Sequence, residues 1–129
     1  MEQSKNWSKW LDKAKDDLLW SEAGMKEEVF YGACFSAQQA GEKALKSYLL
    51  FKDVEPRRIH DLSGLLEECI EMDKNLEELL NQAATLAGYY VETRYPDIGE
   101  FMGYTKEQAK EALDFARQIV NFVEKLVRK

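Results

Sequence analysis

Apolar side chains recur every three or four positions through most of the chain, the spacing of one face of an α-helix. In the first segment, about Trp7 to Lys26, the stripe is Trp7, Trp10, Leu11, Ala14, Leu18 and Ser21. Ser4 or Asn6 can cap its start, and Trp20 falls off the stripe, free to meet another chain or a second helix. A second helix is predicted from about Glu28 to Phe51, with Phe30, Ala33, Ala37, Ala40, Ala44 and Tyr48 facing the core and Cys34, Gly41 and Leu45 flanking them. The middle of this series is small, so neighbouring backbones can approach closely and the helix should lie at the centre of the fold. Asp53 to His60 reads as a loop, because Pro56 disfavours helix at Glu55.

A shorter helix follows, capped by Asp61 and striped by Leu62, Leu65, Leu66, Cys69 and Ile70. Asp73 to Asn75 is a break, with Asn75 as the next cap. The helix beyond it carries Leu76, Leu79, Leu80, Ala83, Leu86, Ala87 and Tyr90, and stops near Arg94 because Pro96 disfavours helix at Tyr95. Tyr95 to Tyr104 is loop. Thr105 and Gln108 then form a capping box for a last helix striped by Ala109, Ala112, Leu113, Ala116, Ile119, Val120, Val123 and Val127. No segment alternates with period two for long enough to make a strand. Four substantial helices and one short one, with short connections, predict an all-α fold, an antiparallel up-and-down bundle forming one domain over residues 1–129.

Composition agrees with a folded chain: 45% of residues are hydrophobic, 33% are charged, and only Pro56 and Pro96 interrupt long helices. No apolar run approaches the roughly 20 residues that span a bilayer, and the first ten residues lack the basic-then-apolar order of a secretory signal. A cytoplasmic location is expected, with no membrane partner. The net charge of −6 argues against non-specific binding to duplex DNA, which depends on Lys and Arg neutralising phosphates. That charge is local. Asp61 to Leu80 holds seven acidic residues against Lys74, and the remaining 109 residues balance at 17 basic and 17 acidic. The acidic run reads as a solvated face, and a basic surface remains available elsewhere.

Several chemistries are excluded by what is absent. Cys34 and Cys69 are far apart and read as buried free thiols, not a disulfide framework or a thiolate metal site. His60 is the one histidine, so neither paired Glu-x-x-His motifs for a di-iron bundle nor a H-E-x-x-H zinc motif can form. Glycine-rich phosphate loops and a G-x-S-x-G nucleophile elbow are missing. No metal and no cofactor are expected.

Three polar clusters remain. Gln38 to Lys46 on the second helix sets Gln39, Lys43 and Lys46 on one surface strip, with Glu42 and Lys46 a favourable i,i+4 pair. This strip reads either as an exposed ion-paired face or as a surface for an anion. Arg57-Arg58-Ile59-His60-Asp61 places two arginines and the histidine just ahead of a helix start, where a phosphate can be held or where the residues simply cap. In Tyr89 to Asp97, Arg94 stands between tyrosines, a setting that suits base stacking and phosphate contact as well as plain packing and capping.

Taken together, the segments resemble the HEPN family (higher eukaryotes and prokaryotes nucleotide-binding). The resemblance is carried by Ala14-Lys15-Asp16-Asp17-Leu18, by Tyr31-Gly32-Ala33-Cys34-Phe35 leading into Gln38-Gln39-Ala40-Gly41-Glu42-Lys43-Ala44-Leu45-Lys46, and by His60-Asp61-Leu62 and Arg94-Tyr95-Pro96-Asp97 in the family's order. It runs from about Trp7 to Leu126. It implies a homodimer that binds a nucleotide or RNA and works beside a small nucleotidyltransferase in a toxin–antitoxin-like pair. Many such proteins are metal-independent ribonucleases whose site is an Arg followed about four to six residues later by a His. This chain departs from that pattern: no histidine follows Arg94, and the arginines before His60 stand too close to it.

The resulting expectation is a binding module without an assigned catalytic residue, its ligand met by Arg94, Tyr95 and Asp97, with Lys43, Lys46 and His60 contributing. One alternative is a metal-independent ribonuclease in which His60 does the acid–base work. The other is a purely structural dimerising scaffold.

Overall fold

The computed structural model describes residues 2–57, 61–94 and 104–128, with side chains over 6–57, 61–89 and 104–128. Five α-helices make up the described chain: α1 (Glu2–Lys26), α2 (Phe30–Phe51), the short α3 (Leu62–Met72), α4 (Leu80–Arg94) and α5 (Lys106–Val127). A 3-10 helix, Lys74–Leu79, leads directly into α4. No strand occurs among the described residues. The all-α bundle of four long helices and one short one is therefore the observed architecture.

Most positions of the predicted stripes are buried. Leu11, Ala14 and Ser21 of α1, Leu62, Leu65, Leu66 and Cys69 of α3, and all eight named positions of α5 are buried. Helix α2 packs against α1, α3, α4 and α5, which is why small residues occupy it. Ala33, Ala37, Ala40 and Ala44 are each fully inaccessible. At one place the approach requires a glycine: a Cβ on Gly24 would lie 3.0 Å from the Ala33 amide nitrogen and 3.1 Å from the Ala33 Cβ.

The turn from α1 to α2 and the end of α2 use the same device. Glu28 and Asp53 take positive φ, 60° and 59°. The amide of Val29 donates to Gly24 (2.8 Å) and that of Glu28 to Met25 (3.3 Å); likewise Val54 donates to Leu49 (2.8 Å) and Asp53 to Leu50 (2.9 Å). These paired bonds are Schellman closures, a position where glycine is the usual residue. Neither site has one. The α2 start predicted at Glu28 is thus displaced to Phe30, because Glu28 is spent closing α1.

Three helix starts differ in kind. The Asp61 carboxylate accepts from the Gly64 amide at 3.1 Å, as expected of a cap. Thr105 and Gln108 form the full capping box. Asn75 does not cap, however: Asp73 accepts from the Asn75 amide at 3.0 Å, and the chain winds as a 3-10 helix before α4 begins. Leu80 consequently points outward, 50% exposed. Ser4 and Asn6 are also not caps, since α1 already begins at Glu2. Tyr90 and most of the predicted Tyr95–Tyr104 loop lie outside the side chains described; Tyr104 itself packs edge-on against Tyr89, with ring centroids 4.9 Å apart.

Along the α1–α5 seam, Arg117 pairs with Glu22 at 2.7 Å, Lys15 pairs with Glu124, and Arg128 reaches Asp12 at 3.5 Å. Exposed pairs of this kind contribute little individually, about 0–1 kcal/mol; the apolar stripe beneath them holds the helices together. Among the described residues no helix is long and apolar enough to cross a membrane.

Candidate ligand-binding site

The strip on α2 is not the solvated face that its composition suggests. Gln38, Glu42 and Lys46 follow one another at four-residue spacing, so they stack along one line of the helix, and all three are buried. Gln39 Nε2 donates to Gln38 Oε1 (2.7 Å), Gln38 Nε2 donates to Glu42 Oε2 (3.1 Å), and Lys46 Nζ donates to Glu42 Oε1 (3.1 Å). The Lys46 ammonium also lies 5.1 Å from the centre of the Trp10 ring. Satisfied networks of this sort keep buried charge tolerable, because each polar atom removed from water finds a partner.

Lys43, one turn away, is partly buried, and its ammonium stands 2.7 Å from Asp17 Oδ2 of α1. Asp17 Oδ2 accepts no hydrogen bond among the described residues, so the contact is ionic. Both predicted cations of α2 thus have a carboxylate at contact distance. They are committed to the fold, and an added anion would have to compete with Glu42 or Asp17.

In the second cluster the described Arg57 is exposed but held by two carboxylates. Arg57 donates to Glu68 Oε1 from its backbone amide (3.0 Å) and from Nε (3.3 Å), while Nη2 reaches Glu71 at 3.4 Å. Hydrogen bonding to Glu68 is the leading reason the Arg57 guanidinium holds its proton more tightly than usual. Glu68 is only 4% exposed, so one member of the acidic run is a buried partner and not part of a solvated face.

The third cluster lies at the end of α4, where Arg94 is the last helical residue; its side chain, like Tyr95, Asp97 and His60, lies outside the described residues. The structure therefore brings Lys43 and Lys46 together on α2 against α1, and does not place the other four. The buried Gln38–Glu42 pair was missed by sequence reasoning, although a signal existed: three polar residues at i, i+4 and i+8 on a helix otherwise rich in small and apolar residues. Among the described residues, no three His, Cys, Asp or Glu side chains gather where a metal ion could sit. Cys34 and Cys69 are free and buried; burial pushes the Cys34 thiol up to about 12 and the Cys69 thiol higher still. Neither is a nucleophile at neutral pH.

With this geometry in hand, comparison with known proteins is decisive for family. The HEPN domain matches residues 7–126. The chain belongs to the HEPN family. The candidate toxin MJ1304 of Methanocaldococcus jannaschii is 30% identical to this HEPN chain, over 92% of the chain and 86% of that protein. Among solved structures, TT1696 from Thermus thermophilus is 31% identical with a TM-score of 0.80, covering 93% of this chain and 97% of its own. ST0689, described as an archaeal HEPN homologue, is 26% identical with a TM-score of 0.73, over 94% of this chain and 97% of its own. The HEPN domain protein tm0613 of Thermotoga maritima is 25% identical with a TM-score of 0.75, over 93% and 98%.

Proposed function

We propose that this HEPN chain is the toxin-like member of a toxin–antitoxin-like pair, a cytoplasmic homodimer that binds a nucleotide or RNA and is regulated by a small nucleotidyltransferase. The observation that carries this reading is the likeness to a candidate toxin over 92% of the chain, within a family match that spans residues 7–126. Arg94 supplies the fixed bidentate phosphate contact, which a lysine would not replace equally. Tyr95 and Asp97 complete the site, with His60 as a further contributor to ligand binding. Lys43 and Lys46, each held by a carboxylate, contribute by fixing α2 and not as free cations. The dimer draws support from Leu19 and Trp20 of α1, which are 63% and 68% exposed, an unusual setting for large apolar side chains side by side.

The test measures binding of labelled single-stranded RNA and of nucleotides to the purified protein, with Arg94→Ala in parallel and cleavage assayed in EDTA. Binding is expected in the wild type and lost in Arg94→Ala, with the helical circular dichroism unchanged and no RNA cut. Equal affinity in the variant removes Arg94 from the site. Cleavage that disappears in His60→Ala replaces this reading with that of a metal-independent ribonuclease. Absence of all binding, with a stable dimer by sedimentation, leaves a structural scaffold.

A further inference from the structure

Helix α1 carries a feature that the strip on α2 does not. Asn6, Lys9, Trp10 and Lys13 line a groove of about 190 Å³ on the helix surface. Their spacing, i, i+3, i+4 and i+7, sets them on one helical face. Most of the wall is apolar, as an indole and the stems of lysines provide. The indole is held from within: Lys46 lies 5.1 Å from its centre and is itself fixed by Glu42.

Charge accounting separates these lysines from Lys15, Lys43 and Lys46. Lys15 is paired with Glu124, Lys43 with Asp17 and Lys46 with Glu42. Lys9 and Lys13 have no carboxylate within ion-pair distance among the described residues. Of the nearby acids, Asp12 is turned to Arg128 and Asp17 to Lys43, while Asp16 is exposed one turn beyond Lys13. The long acidic run lies on α3 and the 3-10 helix, not on α1.

We propose that the Asn6–Lys9–Trp10–Lys13 groove of α1 is a binding subsite for single-stranded RNA, one base stacking on Trp10 while Lys9 and Lys13 contact flanking phosphates. The inference rests on the reading of the protein as an RNA binder but concerns residues other than Arg94, Tyr95 and Asp97. A single strand offers alternating flat bases and phosphates, and the groove alternates a ring with cations in the same way. An acidic peptide would engage the lysines and leave the indole without a role.

The test uses the full chain and a short fluorescein-labelled single-stranded RNA of mixed sequence, titrated at several salt concentrations. Lys9→Gln with Lys13→Gln is expected to weaken binding and to reduce the slope of log affinity against log salt by about 1.4, since each phosphate contact on a single strand contributes about 0.7. Both positions are exposed, so the fold is not at stake. Trp10→Leu is expected to weaken binding on the order of ten- to a hundred-fold, while Trp10→Phe, which keeps a stacking ring, largely restores it. Unchanged affinity and salt slope in the double lysine variant overturn the subsite, as does equal affinity of Trp10→Leu and Trp10→Phe. Loss only in Arg94→Ala, with the α1 variants unaffected, leaves the RNA-binding reading standing and removes this groove from it. Loss only in the α1 variants does the reverse. Tighter binding of a poly-glutamate peptide than of RNA also overturns the assignment.

Discussion

Helices α2 and α5 have the same length, 22 residues, yet they solve opposite problems. Helix α5 has one face to bury, and its apolar residues form a single clean stripe with polar positions outside it. Helix α2 is enclosed by four other helices and must bury nearly its whole circumference, including Gln38, Glu42 and Lys46. Where one face is buried, hydrophobicity alone assigns inside and outside. Where all faces are buried, polar residues enter the interior, and their tolerance depends on partners that hydrophobicity cannot report.

The sharpest way to break this contrast is Glu42→Ala, which leaves the Lys46 ammonium buried without its carboxylate. A loss of about 3–5 kcal/mol is expected from urea unfolding. Replacing both partners by apolar residues, Glu42→Leu with Lys46→Met, should return most of it. If the single variant unfolds at the wild-type midpoint, the ladder is not a buried network.

Alkali tests the same interior. Cys34 ionises only near 12 in the folded chain against 9.0 when unperturbed, and Tyr48 near 12 against 10.0, raised by burial first and then by Asp73 and Cys69. Folded values above unfolded ones mean that stability is whole below pH 9 and declines from there towards 12. Each group then removes up to about 1.4 kcal/mol per pH unit, measurable as a falling urea midpoint over that window. A midpoint flat across it would show that water reaches these groups.

On α5 a smaller effect is expected. Thr105→Ala removes the reciprocal cap and should cost about 1 kcal/mol, far less than Glu42→Ala, because the stripe still drives the helix onto the core. The smallest change is a gain. Glu28 holds a φ of 60° at a closure where glycine is unstrained, so Glu28→Gly should add about 0.5–1 kcal/mol. A thermal midpoint that falls instead would mean that the Glu28 side chain contributes more than its backbone costs.

Much of this fold was legible beforehand, for reasons visible in particular residues. All eight α5 positions read as core are core, because a 3.6-residue period has one interpretation on a one-sided helix. The capping box at Thr105 and the cap at Asp61 were equally readable, since both are local hydrogen bonds between residues three apart. Asn75 misled because Asp73, two positions earlier, competes for the same role and wins by accepting the Asn75 amide. The candidate site was less legible. Lys43 and Lys46 were correctly set on one strip, but whether a lysine faces solvent or a carboxylate depends on Asp17, from a different helix, and on Glu42, whose burial requires α2 to be covered. Lys9 and Lys13 stand out only once they are seen to share a groove with Trp10 while Lys15, Lys43 and Lys46 are paired.

The sequence by itself determined the helices, their inward faces and most of their ends, because periodicity and capping act within a few residues along the chain. It also carried family membership, through segments in fixed order from Trp7 to Leu126. Only the tertiary structure decided which charges are free. Ion pairing joins residues far apart in sequence, such as Arg117 with Glu22 and Lys15 with Glu124, and the desolvation that makes a charge costly exists only after the helices have closed over it.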